Sequence, residues 1–151
     1  MTTIFEGIKN IGTDKGYEVD FFDSGENIRK IKDTDIEIAT QRASNVDYVI
    51  VVVGDNCMRY RWKDKTAGEN MGRAALDLPG KQLKLVKALK ATGTPVVVVL
   101  VNGRPISEPW LEDNIPAILE AWEPGSLGGR AVAEILFGNI NPSGKLPRNY
   151  Q

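Results

Sequence analysis

The chain reads as an α/β sandwich: a three-layer, doubly wound, mostly parallel sheet with helices on both faces. Three observations predict this. Tyr48–Val53 and Val96–Val101 are short continuous runs of β-branched and aliphatic residues, the pattern of strands covered on both sides in a parallel sheet. Stretches with apolar residues at helical spacing alternate with them, as crossover helices do. The chain of 151 residues suffices for one such domain without disulfides or metals.

Taken in order, Thr3 to Ile11 predicts a short helix. Thr3 and Glu6 have capping-box spacing, Ile4, Ile8 and Ile11 share a face, and Gly12 suits a stop. Tyr17–Phe21 alternates as a strand buried on one face. Thr34 and Glu37 repeat the capping-box spacing, and Ile36, Ala39 and Ala43 predict a helix to about Asn45. The strand Tyr48–Val53 follows, then a long polar loop from Gly54 to Gly80. Lys81 to Ala91 predicts a helix with Leu83, Val86 and Leu89 inward. Pro95 opens the second strand, Val96–Val101, which ends at the turn Asn102-Gly103-Arg104-Pro105. Ala117–Trp122 predicts a third central strand, and Gly128–Phe137 a helix closed by Gly138.

Composition excludes several chemistries. Hydrophobic residues at 42% and charged residues at 26% describe an ordinary globular protein. Nineteen basic residues against 20 acidic ones argue against a general nucleic-acid binder. Histidine is absent, which removes Ser-His-Asp and Cys-His catalysis, His-ligated metals and a histidine base together. The single cysteine, Cys57, forms neither an internal disulfide nor a zinc site. No cofactor and no metal are expected. No apolar run nears the ~20 residues of a membrane span, and Met1–Glu6 lacks the basic region and apolar core of a signal peptide. The compartment stays undetermined.

Because loops after parallel strands share one sheet edge, the Gly54–Gly80 loop and the Asn102–Pro105 turn are expected side by side, where open α/β sheets place their chemistry. Loops beyond about 12–15 residues are more often functional or disordered than neutral. Glu69, in Gly68-Glu69, is the candidate carboxylate, set against the ordinary fate of a solvated loop glutamate. A general acid there needs partial burial to hold its proton near neutral pH. The run Arg59-Tyr60-Arg61-Trp62-Lys63-Asp64-Lys65 interleaves cations with aromatics. It suits a single-stranded nucleic acid, a sugar platform, or a loop pinned by its rings; near-zero net charge disfavours the first. Gly125-Ser126-Leu127-Gly128-Gly129 could cradle a phosphate, yet lacks dinucleotide-binding spacing, and a tight turn for helix packing is favoured. Ser143-Gly144-Lys145 fails as a P-loop ending because Leu146 replaces the hydroxyl residue.

Read as a set, these segments resemble a known family. Gly68-Glu69, Arg73 and Leu78-Pro79-Gly80 are followed by Pro95–Pro105, Ala117–Gly125 and Gly128-Gly129. Leu136-Phe137-Gly138 and Asn141–Pro147 close the series. Together they resemble the C-terminal α/β sandwich domain of glycoside hydrolase family 3, from about Asp47 to Pro147, with a weaker likeness over residues 1–46. The resemblance implies a retaining mechanism in which a barrel domain carries an aspartate nucleophile and Glu69 is the acid/base. It also implies that Trp62 and Arg61 contact the sugar, a β-glucoside or gluco-oligosaccharide. The family pattern Gly-Glu-x-x-Asp-Arg is broken here, since Gly72 takes the aspartate position while Arg73 is kept.

Retaining hydrolysis needs two carboxyl groups about 5–5.5 Å apart, and the chain supplies one. A barrel takes ~250 residues, so the expectation is a single sandwich domain over residues 1–151, as a fragment or isolated domain lacking its first strand. Alone it is expected to be inactive, with no nucleic acid or membrane as partner. The rival is a non-catalytic carbohydrate-binding or scaffolding module.

Overall fold

The computed structural model describes residues 1–25, 27–55, 63, 65–68, 72 and 74–145. Two compact units emerge from the chain's own contacts, Asp23–Trp122 and Met1–Phe22 with Glu123–Asn149.

In the first unit, β1 (Val49–Gly54), β2 (Val96–Val101) and β3 (Ala117–Glu120) form an open, all-parallel sheet in the order β1-β2-β3. Val51 lies opposite Val98, and Val98 opposite Ile118. With α2 (Asp33–Ala43), α3 (Gln82–Ala91) and α4 (Pro109–Asn114) between and before the strands, the architecture is the α/β class the pattern predicts. The helix α3 packs on β1, and α2 packs on α3. The Thr94 hydroxyl donates to the Ala43 carbonyl at 2.8 Å, tying the end of α2 to the entry of β2.

The central strand is covered on both faces, since the successive residues Val98 and Val99 are both fully buried. The edge strand β1 is not: Val51 and Val53 are buried, whereas Val52 is 46% exposed. β3 is the other edge and is shorter than the predicted Ala117–Trp122. Beyond it the Ala121 N–H still donates to the Leu100 carbonyl at 2.9 Å and the Asn102 N–H to the Trp122 carbonyl at 3.2 Å, while the Glu120 carboxylate accepts the Trp122 N–H at 3.0 Å. Trp122 then adopts φ +52, a left-handed conformation that is uncommon for a bulky residue.

The start of α2 also differs from expectation. Thr34 and Glu37 do not form its capping box. The N-cap lies two residues earlier, at Lys32, so the helix begins at Asp33, and Asp35 accepts the Lys32 N–H at 2.8 Å. A short 3₁₀ turn, Ile28–Lys30, and the helix α4 have no counterpart in the periodicity; α4 is six residues long and buries mainly Leu111.

The second unit pairs α1 (Ile4–Asp14) with α5 (Gly128–Leu136). The predicted capping box at Thr3 is present in both directions. The helices meet through glycines, for a Cβ on Gly7 would stand 2.2 Å from the Gly129 carbonyl oxygen. A Cβ on Gly129 would stand 2.1 Å from that of Thr3. The Gly125–Gly129 segment is therefore a turn for close packing. Gly12 does not stop α1, which runs on to Asp14. Tyr17–Phe21 is not a strand. Its aromatic side chains turn to the helices instead, Phe21 stacking on Phe5 with ring centroids 4.1 Å apart and Tyr17 on Phe137 at 6.0 Å.

Candidate functional site

The loop after β1 and the turn after β2 meet at the carboxyl edge of the sheet. Register sets this up: Gly54 lies opposite Val101, so Asp55 and Asn102 both leave their strands at the same level. Gly54 allows the strands to close there, since a Cβ on it would stand 1.9 Å from the Val101 carbonyl oxygen. The Asp55 N–H donates to that same carbonyl at 3.1 Å.

Three residues then close a polar ring. Arg104 donates from Nε to Asp55 Oδ2 at 2.7 Å, and from Nη2 to the Thr66 carbonyl. The Thr66 hydroxyl donates to Asp55 Oδ1 at 3.1 Å. The Asp55 side chain is 1% exposed and that of Arg104 19%. Lys65, Thr66 and Ala67 are all buried. The loop is thus held against the sheet just before Gly68.

The same loop is fastened at its far end. The Gln82 Nε2 donates to the carbonyls of Gly54 and Pro79, at 2.8 and 3.0 Å. The Ser107 N–H donates to the Leu76 carbonyl at 2.8 Å, and Leu78 is buried.

A second polar group occupies the end of β3. Asn102 donates from Nδ2 to Glu120 Oε2 at 3.3 Å and to the Arg104 carbonyl at 2.8 Å. Burial pushes the Glu120 carboxyl above the usual range, against the lowering effect of its bonds from Trp122 and Asn102. Asn102 Oδ1 is buried with no hydrogen-bond partner among the described residues.

Of the residues anticipated from sequence, Glu69, Arg61 and Trp62 lie outside the described residues, as does Arg73. The Asn102–Pro105 turn does share an edge with the Gly54–Gly80 loop. The Ser143-Gly144-Lys145 segment has no helix among its described residues. Asp55, Thr66, Gln82 and Glu120 were not singled out by pattern. Asp55 was the most accessible of them, as an acidic residue placed directly after a parallel strand. No group of three or more His, Cys, Asp or Glu among the described residues could hold a metal ion. No helix among them is long and apolar enough to cross a membrane.

Fold and site together define an open parallel α/β domain that presents one long, pinned loop at the carboxyl ends of its strands. The model of the glycosyl hydrolase family 3 C-terminal domain matches residues 1–151, and the chain belongs to that family. It is 47% identical over 112 residues to a β-xylosidase of Formosa agariphila, covering 74% of this chain and 14% of that protein. It is 41% identical over 145 residues to a periplasmic β-glucosidase of Salmonella typhimurium, covering 93% of this chain and 18% of that protein. A solved β-glucosidase from Listeria innocua in complex with isofagomine superposes with a TM-score of 0.78 at 30% identity. That match covers 96% of this chain and 18% of the enzyme's. The chain thus spans less than a fifth of the length of each of these relatives.

Proposed function

We propose that this chain serves as the sandwich domain of a retaining β-glycosidase that removes terminal β-linked glucosyl or related residues, with Glu69 as general acid/base. The observation that carries the reading is family membership over residues 1–151. The β-glucosidase and β-xylosidase names of its relatives support the substrate class. The anchored loop supports a role for Glu69, since Thr66 is tied to the sheet edge three residues before it in the chain.

In this reading the nucleophile comes from a barrel domain, and Trp62 and Arg61 contact the sugar. Glu69 protonates the leaving oxygen in the first displacement, then takes a proton from water in the second. Without a facing nucleophile the first displacement does not start, so the 151-residue chain alone is inactive on aryl β-glucosides. An assay of the purified chain beside the full-length protein tests this. Turnover by the chain alone that disappears in Glu69→Gln would refute the half-site reading.

One observation favours a second reading, a carbohydrate-binding or scaffolding module without catalysis. Gly72 stands where the family pattern has an aspartate. Titration of the full-length protein with gluco-oligosaccharides separates the two. Binding without turnover supports the module; turnover lost in Glu69→Gln supports the enzyme.

A further inference from the structure

We propose that Asp55, Thr66 and Arg104 form a positioning ring that sets the pose from which Glu69 transfers its proton. This rests on the reading of Glu69 as acid/base and assigns the ring no contact with substrate.

The ring is costly to build, which is the first reason to look for a use. A buried ion pair is often no more stabilising than well-packed apolar residues, because both charges lose their hydration. What it does impose is one geometry. Asp55 uses both carboxylate oxygens, Oδ2 for Arg104 and Oδ1 for Thr66. Arg104 spends one arm on Asp55 and another on the Thr66 carbonyl. Such a closed ring has a single arrangement, unlike an exposed pair on flexible stems.

Its three corners have unequal origins. Asp55 follows β1 and Arg104 lies in the turn after β2, so two corners are carried by adjacent strands in fixed register. Thr66 lies well inside the long loop, 11 residues beyond Asp55. The ring therefore transfers the rigidity of the sheet to one point of the loop, and that point lies three residues before Glu69. A misplacement of about 1 Å at a reacting group can cost on the order of 10²-fold in rate.

The proton inventory leaves the ring neutral to the chemistry. In the first displacement the Glu69 O–H bond breaks toward the glycosidic oxygen. The bond from that oxygen to the anomeric carbon breaks as the nucleophile's bond forms. In the second, water gives its proton to the Glu69 carboxylate as its oxygen bonds the anomeric carbon, and the bond from that carbon to the nucleophile breaks, which frees the nucleophile's carboxylate. Asp55, Thr66 and Arg104 neither gain nor lose a proton.

Leaving-group dependence in the full-length protein tests the ring. Phenols that leave easily need little protonation, whereas poor leaving groups depend on the general acid. The variants are Asp55→Asn, Thr66→Val and Arg104→Lys, assayed on dinitrophenyl, nitrophenyl and phenyl β-glucosides, with Glu69→Gln as reference. The expected result is a loss of kcat/KM within about 3-fold on the dinitrophenyl substrate and about 10²-fold on the phenyl substrate, while kcat and KM on the dinitrophenyl substrate fall together because water attack also needs Glu69. A loss equal across the series would mark a merely structural ring and overturn the proposal. Should Asp55→Asn fail to fold, Thr66→Val, which removes a single hydroxyl, carries the test alone. If Glu69→Gln is steep and the ring variants are flat, only the ring is wrong. If Glu69→Gln is itself flat, the acid/base reading fails and the ring proposal falls with it.

Discussion

Gln82 and Gly54 exchange a pair of hydrogen bonds, each 2.8 Å long, as two residues of neighbouring strands would. The Gly54 N–H donates to Gln82 Oε1, and Gln82 Nε2 donates in turn to the Gly54 carbonyl. This side-chain amide satisfies the backbone of β1 on the side away from β2, at the point where the long loop departs. Gln82→Leu keeps the volume and removes this pair together with the bond to the Pro79 carbonyl, taking a partner from one N–H and two carbonyls. It is expected to destabilise the protein by roughly 2–4 kcal/mol, read from urea unfolding midpoints at an unchanged slope. A loss below about 0.5 kcal/mol would mean that water replaces the amide.

The helix pair α1 and α5 depends on missing side chains. Gly129→Ala would place a methyl 2.1 Å from the Thr3 carbonyl oxygen, a distance that forces the helices apart. Overpacking of this kind typically costs about 1–3 kcal/mol. Gly144→Ala, with no described heavy atom within 4 Å of its Cβ, is the matched control and should leave the melting temperature unchanged.

Glu120 carries a pH dependence with a definite sign. Burial raises its folded-state pKa, so the folded protein binds more protons than the unfolded chain between the two values. Its contribution is therefore most favourable below the unfolded pKa, about 4.3, and is lost as pH rises through the folded value. Glu120→Gln should match the parent most closely near pH 4 and become relatively more stable toward pH 7. Unfolding curves across that range check it, and a gap that narrows with rising pH would contradict it.

Asp33 behaves oppositely. Its bonds from Lys81, at 2.7 Å, and from Lys84, at 2.8 Å, hold its carboxyl down at about 2. Whatever stability the triad contributes is present above the unfolded pKa and lost as pH falls from about 4 to about 2. These groups are exposed, so salt should erode the effect. Asp33→Asn is expected to differ from the parent at pH 6 in low salt, and to converge with it near pH 2 or in 1 M salt, where the Debye length is about 3 Å.

Gly72 offers a gain-of-function test of the proposed enzyme. Among the described residues, no heavy atom lies within 4 Å of where its Cβ would stand, so a larger side chain is not opposed there. Gly72→Asp restores the family pattern beside Arg73. It should leave stability within about 0.5 kcal/mol and raise kcat/KM on aryl β-glucosides in the full-length protein. Unchanged activity would show that the aspartate is dispensable in this chain.

Local and regional patterns differed in what they foretold. The capping box at Thr3 was legible because both partners lie within four residues, and it formed. The spacing Thr34–Glu37 looked equivalent, yet Asp35 reached the Lys32 N–H first and moved the start of α2. Tyr17–Phe21 alternates like a strand, but neither face is buried, Tyr17 being 61% and Phe21 50% exposed. Its rings found Phe5 and Phe137 rather than a sheet edge. The site shows the same division. That the Gly54–Gly80 loop and the Asn102–Pro105 turn share an edge follows from parallel topology, whereas the ring of Asp55, Thr66 and Arg104 joins residues up to 49 positions apart.

From the sequence alone came the α/β class, the two valine-rich strands, the edge at which the loops gather and the family. Each of these is written in short-range periodicity or in motifs read in order. Only the tertiary structure decided which strand is central, where β3 stops, and which buried polar groups pin the loop. Those depend on strand register and on which donor reaches a buried acceptor first. Both are settled by packing among distant residues, and no window of neighbouring residues encodes them.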